Sequence, residues 1–239
     1  MVEEIYRRVP PAMLGEVIVV DDAGSDATPE LIKALITKGQ LTGLHYLRHE
    51  ANCGRAAALR SGVLAARFPI IVTLEPSGRN DPADVTRLVE RLAVPGAAGP
   101  ALACGWRTRR RGSRLQRWSA GIGRLVRRLM LGDTSPDAGC GIRAFWRDAF
   151  LLLPHFAANS VYLPVLFRSH GHEVVHVPVN DRLTDARSSS VREAGSALDL
   201  LAVAWLRRRT RLPVIIEQWP DGGLEATRPI VKRDARHRS

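Results

Sequence analysis

Acidic side chains stand directly after two apolar runs of this chain, where carboxylates can accept hydrogen bonds or bind a cation. Asp21 and Asp22 follow residues 17–20, and Glu75 follows residues 70–74. Ligands of parallel sheets bind outside the carboxyl ends of the strands, so Asp at such a point can contact a nucleobase or a ribose. Divalent cations favour the same hard oxygen ligands. A turn-and-cap role explains the aspartates equally well if this motif is taken alone.

Only part of a metal-ligand set follows the second apolar run. Glu75 is a carboxylate, whereas Ser77 is at best a weak neutral ligand. Arg79 carries a fixed positive charge that repels a cation. The sequence therefore predicts a depleted metal site, with Glu75 and Ser77 as its candidate ligands.

Predicted strands and predicted helices alternate along the chain around these residues. Short apolar runs predict strands at 17–20, 44–48, 70–74, 101–104 and 173–179. Helical patterns occupy 28–37, 55–66 and 82–93. This alternation predicts an α/β fold, a mostly parallel sheet with helices on both faces. We place one domain at residues 1–212 and a polar C-terminal tail at 213–239.

Charge and cysteine content narrow the choice of partner and compartment. The chain has 35 Lys and Arg against 24 Asp and Glu, a formal net charge of +11. An anionic partner is expected: nucleotide phosphate, lipid phosphate or nucleic acid. The apolar run at 200–206 is far shorter than the roughly 20 residues needed to cross a bilayer. Three widely spaced cysteines without a CxxC pair, Cys53, Cys104 and Cys140, indicate a reducing compartment.

Residues 107–130 form a basic amphipathic pattern. Apolar residues recur at three- and four-residue steps and arginines fill much of the remaining surface, the apolar set being Leu115, Trp118, Ile122, Leu125 and Leu129. Such a helix can pack its apolar stripe on the core with a solvated Arg face. It can equally lie on an anionic membrane surface or, less in keeping with its composition, bind nucleic acid.

The order of the motifs resembles the family 2 glycosyltransferases, specifically the dolichol-phosphate mannosyltransferase group. The chain carries VVDDAGSDAT at 19–28, NCGRAAAL at 52–59, EPSGRNDP at 75–82, CGWR at 104–107 and DAGCGIRAF at 137–145. These match, in order, the group's VVDDGSxDGT, NxGKGAAL, DADxQHDP, GSR and DxxxGxRAF. The resemblance covers roughly residues 16–210, and five weak motifs in the right order are more specific than any one alone.

The resemblance implies a GT-A fold and an enzymatic activity. Such an enzyme transfers a hexose, mannose or glucose, from a GDP- or UDP-linked donor to a polyprenyl or dolichyl phosphate with inversion. The family uses Mg²⁺ or Mn²⁺ as cofactor. The protein is then expected to be cytoplasmic and peripheral on the cytoplasmic membrane face, with an anionic membrane surface as a partner.

Site roles carry over by position. Asp21 and Asp22 fall on base and ribose contacts, and the other residues expected beside the nucleotide-sugar are Asn52, Arg55 and Arg107. Glu75 falls on the first metal aspartate and Ser77 on the second. The acceptor phosphate is expected to meet Arg143, Arg182 and Arg187. Asp137 and Arg79 are the catalytic candidates, Asp137 as a base or a sugar-orienting carboxylate with turn capping as the alternative.

The altered metal turn suggests a substitution of charge. We hypothesise that Arg79, beside Glu75, partly replaces the missing cation, while Arg55 and Arg107 hold the remaining phosphate charge. Erosion of a site without catalytic demand is the competing explanation, and it makes the chain a catalytically impaired homologue.

The N-terminus also departs from the family pattern. In the family a strand ending Pro-x-Tyr-Asn-Glu precedes the first helix and lies in the middle of the sheet, whereas this chain begins inside that helix, at residues 2–9. The first central strand is therefore expected to be missing, through N-terminal truncation, or its neighbours to close up on each other. Unpaired buried backbone groups cost about 1–3 kcal/mol each, so lower stability than full-length relatives is expected.

Two rival classes remain open. A basic nucleic-acid-binding protein fits the charge and the Arg runs at 107–117 and 207–212, but aromatic residues are not interleaved with them, so nucleic acid is an unlikely partner. A zinc protein is suggested by His170, His172 and His176, although no cysteine lies nearby in the sequence. Surface or core histidines explain this cluster more simply.

Overall fold

The computed structural model describes residues 1–92, 99–108, 114–137, 139–182 and 197–210. The strands are β1 (Val17–Asp21), β2 (Leu44–Arg48), β3 (Ile70–Thr73), β4 (Leu102–Arg107), β5 (Arg143–Trp146) and β6 (Val174–Val179). The helices are α1 (Val2–Arg8), α2 (Thr28–Thr37), α3 (Arg55–Ala65), α4 (Asp84–Leu92), α5 (Arg114–Leu131), α6 (Arg147–Leu151), α7 (Asn159–Ser169) and α8 (Ala197–Arg209). The alternation predicted from the apolar runs is confirmed up to β4.

The strands form two hydrogen-bonded groups. One pairs β1 with β2 in parallel, and the other has the order β3-β5-β4-β6. In the second group β5 runs antiparallel to both β3 and β4, and β4 runs parallel to β6. β3, β4 and β6 therefore share one direction, and their carboxyl ends lie at one edge beside the start of β5.

The neighbourhood of β1 and β3 contains a discontinuity. Among the described strands these two share no hydrogen-bond ladder, so the alternative in which they close up on each other is wrong. Their apolar residues are only partly buried, whereas Leu102, Ala103 and Cys104 in β4 are buried. Burial on both faces is typical of strands inside a parallel sheet, and β4 shows it while β1 and β3 do not.

Alternate residues of the central strands feed two separate cores. Leu102, Cys104 and Phe145 pack with apolar residues of α3, α6, α7 and α8. Ala103 and Ala144 point the other way and pack with residues of α4, including Val85 and Leu88. Side chains alternate across a strand with a period of two, so helices must cover both faces of this sheet. The predicted α/β class with helices on both faces is confirmed.

The cysteines are not bonded to one another. Cys104 and Cys140 are buried and Cys53 is exposed, and all three are free thiols. Burial raises the pKa of the Cys104 thiol to about 11, which keeps it protonated at neutral pH. The two buried cysteines therefore act as small core residues.

Candidate functional site

Asp21 ends β1 and organises the turn that follows it. Its Oδ1 accepts a hydrogen bond from the Gly24 amide at 2.7 Å, and its Oδ2 accepts one from the Tyr46 hydroxyl at 2.7 Å. These two bonds, with the Tyr46 bond the stronger influence, hold the pKa of Asp21 below its ordinary value. Arg48 adds a more distant charge contact at 3.7 Å. Asp21 thus ties the β1 turn to β2, a role that needs the ionised carboxylate.

Asp22 holds the loop that leads from β2 into α3. Its Oδ1 accepts from the Cys53 amide at 2.9 Å, and its Oδ2 accepts from the Gly54 amide at 2.7 Å. Oδ1 also lies 2.7 Å from His49 Nδ1, and His49 Nε2 lies 2.9 Å from Ser61 Oγ. Partial burial opposes ionisation, but the hydrogen bonds outweigh it and lower the pKa of Asp22. This one carboxylate therefore fixes the backbone beside Asn52, which itself is exposed.

Asp22, His49 and Cys53 also bring three kinds of metal ligand together. One ligand atom from each lies within 4.8 Å of the others. Both carboxylate oxygens of Asp22 already accept backbone hydrogen bonds, so this geometry is explained by loop closure. The sequence also suggested a zinc site at His170, His172 and His176. His170 Nδ1 lies 2.9 Å from the Leu166 carbonyl, and His176 Nε2 lies 3.2 Å from Arg168 Nη2. Each of these two rings thus has a protein partner of its own.

Arg55 is the first residue of α3 and reaches across to the turn after β3. Its Nη2 donates to Glu75 Oε1 at 3.1 Å, and the Glu75 side chain is only 12% exposed. Gly54 before it has φ of +87°, a conformation that side chains disfavour and that starts the helix at this point. The guanidinium beside Glu75 is therefore that of Arg55.

The turn that carries Glu75 is closed by its own side chains. Asn80 Oδ1 accepts a hydrogen bond from the Glu75 amide at 3.1 Å, and Asn80 bridges to Asp181 through the backbone. Ser77 Oγ is buried without a hydrogen-bond partner among the described residues. Arg79 Nη2 lies 3.3 Å from both carboxylate oxygens of Asp181. Arg79 was expected beside Glu75 in place of a cation, but in this structure its guanidinium lies against Asp181, two residues after β6, which attracts its charge.

Asp137 and Arg107 form a two-point ion pair. Arg107 Nε donates to Asp137 Oδ2 at 2.7 Å and Nη2 donates to Oδ1 at 3.1 Å. The Asp137 side chain is 1% exposed, against 15% for Arg107. Burial works against the charge of Arg107, but Asp137 outweighs it and raises the pKa of the guanidinium above its already high ordinary value. Arg107 was expected to face phosphate, and in this structure it faces Asp137.

Gly141 joins this ion pair to the Glu75 turn. Its carbonyl accepts a hydrogen bond from Thr73 Oγ1 at 2.9 Å, and a Cβ built on Gly141 collides with the Glu75 side chain. Contacts run from Asp22 through Gly54, Arg55 and Glu75 to Gly141, and the adjoining Cys140 amide donates to the Asp137 carbonyl at 3.2 Å, which links them to the Asp137–Arg107 pair. We call this set the edge cluster, because it follows the ends of β1, β3 and β4.

We expect Gly141→Ala to displace Glu75 and to lower the free energy of unfolding by about 1–3 kcal/mol through overpacking. Gly139→Ala is the matched control, since its nearest neighbour to a new Cβ is Arg107 Nη2 at 3.6 Å, an ordinary contact. We expect a change of less than about 1 kcal/mol there. Urea unfolding of both variants measures the difference, and equal values contradict the packing argument.

The residues of the edge cluster do not fit a divalent cation. The carboxylate of Glu75 already bonds a guanidinium, and Ser77 supplies only a neutral hydroxyl. The nearby carboxylates Asp137 and Asp181 are each bound by an arginine. Mg²⁺ and Mn²⁺ favour several oxygen ligands of negative charge, and a fixed positive charge at the first ligand opposes their binding.

Two of the three predicted acceptor residues have partners within the protein. Arg143 is 6% exposed and donates to the Ser160 carbonyl at the start of α7. Burial of a guanidinium requires such a partner, so in this structure Arg143 serves the packing of α7, and its contact with an acceptor phosphate stays a prediction. Arg182 Nη1 lies 2.6 Å from Glu4 Oε1 on α1. Arg187 lies outside the described residues.

Sequence reasoning missed three members of this region. His49 orients Asp22, Gly141 seats Glu75, and Asp181 captures Arg79. The role of Gly141 could have been suspected from the sequence, because this glycine stands inside the DAGCGIRAF motif. His49 and Asp181 stand in no motif, and only the folded chain brings them near their partners.

Several known proteins are similar to this chain in sequence. The family model described as glycosyl transferase family 2 matches residues 2–152. The undecaprenyl-phosphate 4-deoxy-4-formamido-L-arabinose transferase of Pseudomonas paraeruginosa is 26% identical over 78% of this chain and 54% of its own length. The enzyme of that name from Edwardsiella ictaluri is 27% identical over 69% and 49%. The chain thus spans about half the length of these curated relatives.

Solved structures show the same fold. Glucosyl-3-phosphoglycerate synthase from Mycobacterium tuberculosis, in complex with phosphoglyceric acid, matches with a TM-score of 0.59 and 21% sequence identity. The match covers 81% of this chain and 69% of that one. The same protein with Mn²⁺, UDP-glucose and phosphoglyceric acid has a TM-score of 0.56 and 19% identity, over 81% of this chain and 68% of that one. These likenesses confirm the predicted GT-A fold. The family match covers more than half of the chain, which therefore belongs to glycosyltransferase family 2.

Proposed function

We propose that this chain transfers a hexose from a nucleotide-linked donor to a polyprenyl phosphate with inversion. Membership of glycosyltransferase family 2 supports transfer from an activated sugar. The relatives named as undecaprenyl-phosphate transferases support a polyprenyl-phosphate acceptor. The observation that carries the proposal is the edge cluster, which brings acidic and basic groups from five separate motifs to the carboxyl ends of the strands.

The donor is proposed to lie along the edge cluster. Asp21 and Asp22 fix the two loops that would enclose the base and ribose, with Asn52 exposed on the second loop. Arg55 and Arg107 are the proposed partners of the diphosphate, because guanidinium groups bind phosphate oxygens in a two-point geometry. Both are held in place by carboxylates before the donor arrives.

The acceptor chemistry needs no strong base. A phosphate monoester has a second pKa near 6, so it is largely ionised at neutral pH and its oxygen can attack the anomeric carbon directly. The nucleoside diphosphate leaves as that bond forms, and positive charge beside it lowers the barrier. Both carboxylate oxygens of Asp137 are occupied by hydrogen bonds from Arg107. We therefore assign it a positioning role.

A transfer assay tests this function. The full chain is incubated with undecaprenyl phosphate in vesicles and radiolabelled GDP-mannose or UDP-glucose, and label is counted in the lipid extract. The proposal predicts acid-labile lipid label with one donor, and NMR of the product reports inversion. Donor binding without transfer would instead favour a catalytically impaired homologue, and absence of both binding and transfer would contradict the proposal.

An apolar surface on α5 and α8 supports a membrane-bound acceptor. The two helices contact each other, and their exposed side chains include Leu125, Leu129, Leu198, Leu201 and Trp205. Leu129 is 75% exposed, Leu198 76% and Trp205 62%. Within the described residues, no helix is both long and apolar enough to pass through a bilayer. We name these five residues the α5–α8 apolar surface.

Basic residues adjoin this surface. Arg128 on α5 and Arg207, Arg208 and Arg209 at the end of α8 are exposed, and the Arg209 guanidinium lies 6.0 Å from the Trp205 ring centre. Leucine and tryptophan beside arginines favour the interface of an anionic bilayer. We therefore propose that the α5–α8 apolar surface rests on anionic lipid, at the cytoplasmic face where nucleotide-sugars are made available.

Charge placed in this surface is expected to release the protein from lipid. Leu201→Glu with Trp205→Glu should weaken binding to phosphatidylglycerol vesicles about tenfold or more, because two apolar anchors become anionic. Leu31→Glu on α2 is the control, since Leu31 is 64% exposed but lies outside the surface. Co-sedimentation measures both. Equal binding by the two variants, or a salt-sensitive shift with oligonucleotide in place of lipid binding, contradicts the proposal.

A further inference from the structure

The Glu75 carboxylate is held between two elements. Arg55 Nη2 approaches Oε1 at 3.1 Å from α3, and the backbone of Gly141 lies against the side chain from the other direction. Only 12% of the Glu75 side chain is exposed. A partly buried carboxylate with a guanidinium on it is charge-neutral as a pair, so its attraction for a further cation is small.

No second anionic ligand accompanies Glu75 in its turn. Ser77 Oγ is buried and has no hydrogen-bond partner within the described residues. Arg79, two residues later, is paired with Asp181. The one carboxylate of this turn therefore already has its counter-charge, and that charge belongs to the protein.

The position of Arg55 suits an incoming diphosphate. It is the first residue of an 11-residue helix, directly after Gly54, whose amide donates to Asp22. The positive end of the α3 dipole and the Arg55 guanidinium therefore lie between Asp22 and Glu75. A guanidinium has five N–H donors in one plane, so it can bond Glu75 and a phosphate oxygen at the same time.

We propose that the Arg55 guanidinium, seated on Glu75, takes the place of the divalent cation in neutralising the donor diphosphate, so that donor binding needs no metal ion. This inference rests on the proposed function for the identity of the donor. It gives Arg55 the charge-neutralising role that was expected of Arg79, because Arg55 is the arginine that contacts Glu75. Glu75 acts here as a positioning residue for Arg55.

Calorimetric titration with UDP-glucose and GDP-mannose tests the proposal, each in EDTA and in Mn²⁺. The wild-type affinity is expected to differ less than about twofold between the two conditions, and Arg55→Ala is expected to lower it about tenfold or more. Glu75→Gln should lower it less, because the guanidinium remains. Arg67→Ala is the matched control, since Arg67, two residues beyond the C-terminal end of α3, forms an Arg–Glu pair with Glu16 at 3.3 Å.

Mn²⁺ binding, measured by loss of the free-ion EPR signal, is a readout independent of the donor. Wild type should bind no Mn²⁺ through Glu75, and Arg55→Ala with Ser77→Asp should create a site that Glu75→Gln abolishes. Donor binding that requires Mn²⁺ and ignores Arg55→Ala overturns the inference, as does wild-type Mn²⁺ binding that is lost in Glu75→Gln. If no donor binds at all, the proposed function fails, while the EPR result alone still decides whether Arg55 excludes the metal.

Discussion

Replacing Asp137 with alanine is expected to lower the free energy of unfolding by about 3–5 kcal/mol, because it leaves the Arg107 guanidinium without its counter-charge. The Asp137 side chain is 1% exposed and receives two hydrogen bonds from Arg107, at 2.7 and 3.1 Å. Sugar transfer should fall below detection in the same variant, since Arg107 loses the group that aims it. Urea unfolding and the transfer assay measure the two effects.

A double-mutant cycle separates this pair from general damage. Arg107→Ala with Asp137→Ala should cost less than the sum of the single variants, because each single change leaves an uncompensated charge. Asp148→Ala is the control: Asp148 pairs with Arg147 at 3.5 Å but is 91% exposed, so the loss should stay below about 1 kcal/mol. Additive losses at Asp137 and Arg107 would show that the observed contact is not energetically coupled.

Removing the Asp22 carboxylate is expected to lower the affinity for the donor about 100-fold or more. Three hydrogen bonds to the carboxylate are lost together, from the amides of Cys53 and Gly54 and from His49. Bonds to charged groups contribute about 1.5–3 kcal/mol each, and much of that is needed to keep the loop at 49–54 closed. A thermal-shift screen of GDP- and UDP-sugars on Asp22→Ala measures the loss. Unchanged shifts by the donor would remove Asp22 from the site.

Asp22 also predicts how stability depends on pH. Its hydrogen bonds lower its pKa in the folded protein, so the folded state favours the ionised form. The contribution is complete above the ordinary aspartate pKa of about 3.9 and is lost as the pH falls from there through the folded-state pKa. Unfolding measured between pH 5 and pH 2.5 should therefore show a shallower acid slope in Asp22→Asn than in wild type. Equal slopes contradict this assignment.

Much of the fold could be predicted because its signals are local. The strand–helix alternation up to β4 is visible as apolar runs and helical patterns, and side chains on both faces of the β4 strand are apolar. β5 was not predicted. Its four residues, Arg143 to Trp146, read as part of a motif, and only its pairing with β3 and β4 makes them a strand.

The sequence indicated which residues lie together at this edge better than it indicated which of them bond to each other. Asp22, Arg55, Glu75, Asp137 and Arg107 come together at one edge, because each lies at a strand end or in a loop beside one. Which arginine meets which carboxylate depends on distances between loops, and sequence spacing does not encode them. Arg79 therefore binds Asp181 and Arg55 binds Glu75, while Arg143 is buried beside Ser160.

The edge cluster is proposed to bind a nucleotide-sugar. Photolabelling with base-azido UDP-glucose and base-azido GDP-mannose, followed by mass spectrometry of the peptides, tests it most directly. Label is expected on residues 21–26 or 49–55 with one of the two donors, and excess unmodified donor should prevent it. Label confined to other parts of the chain, or label that excess donor does not prevent, contradicts it.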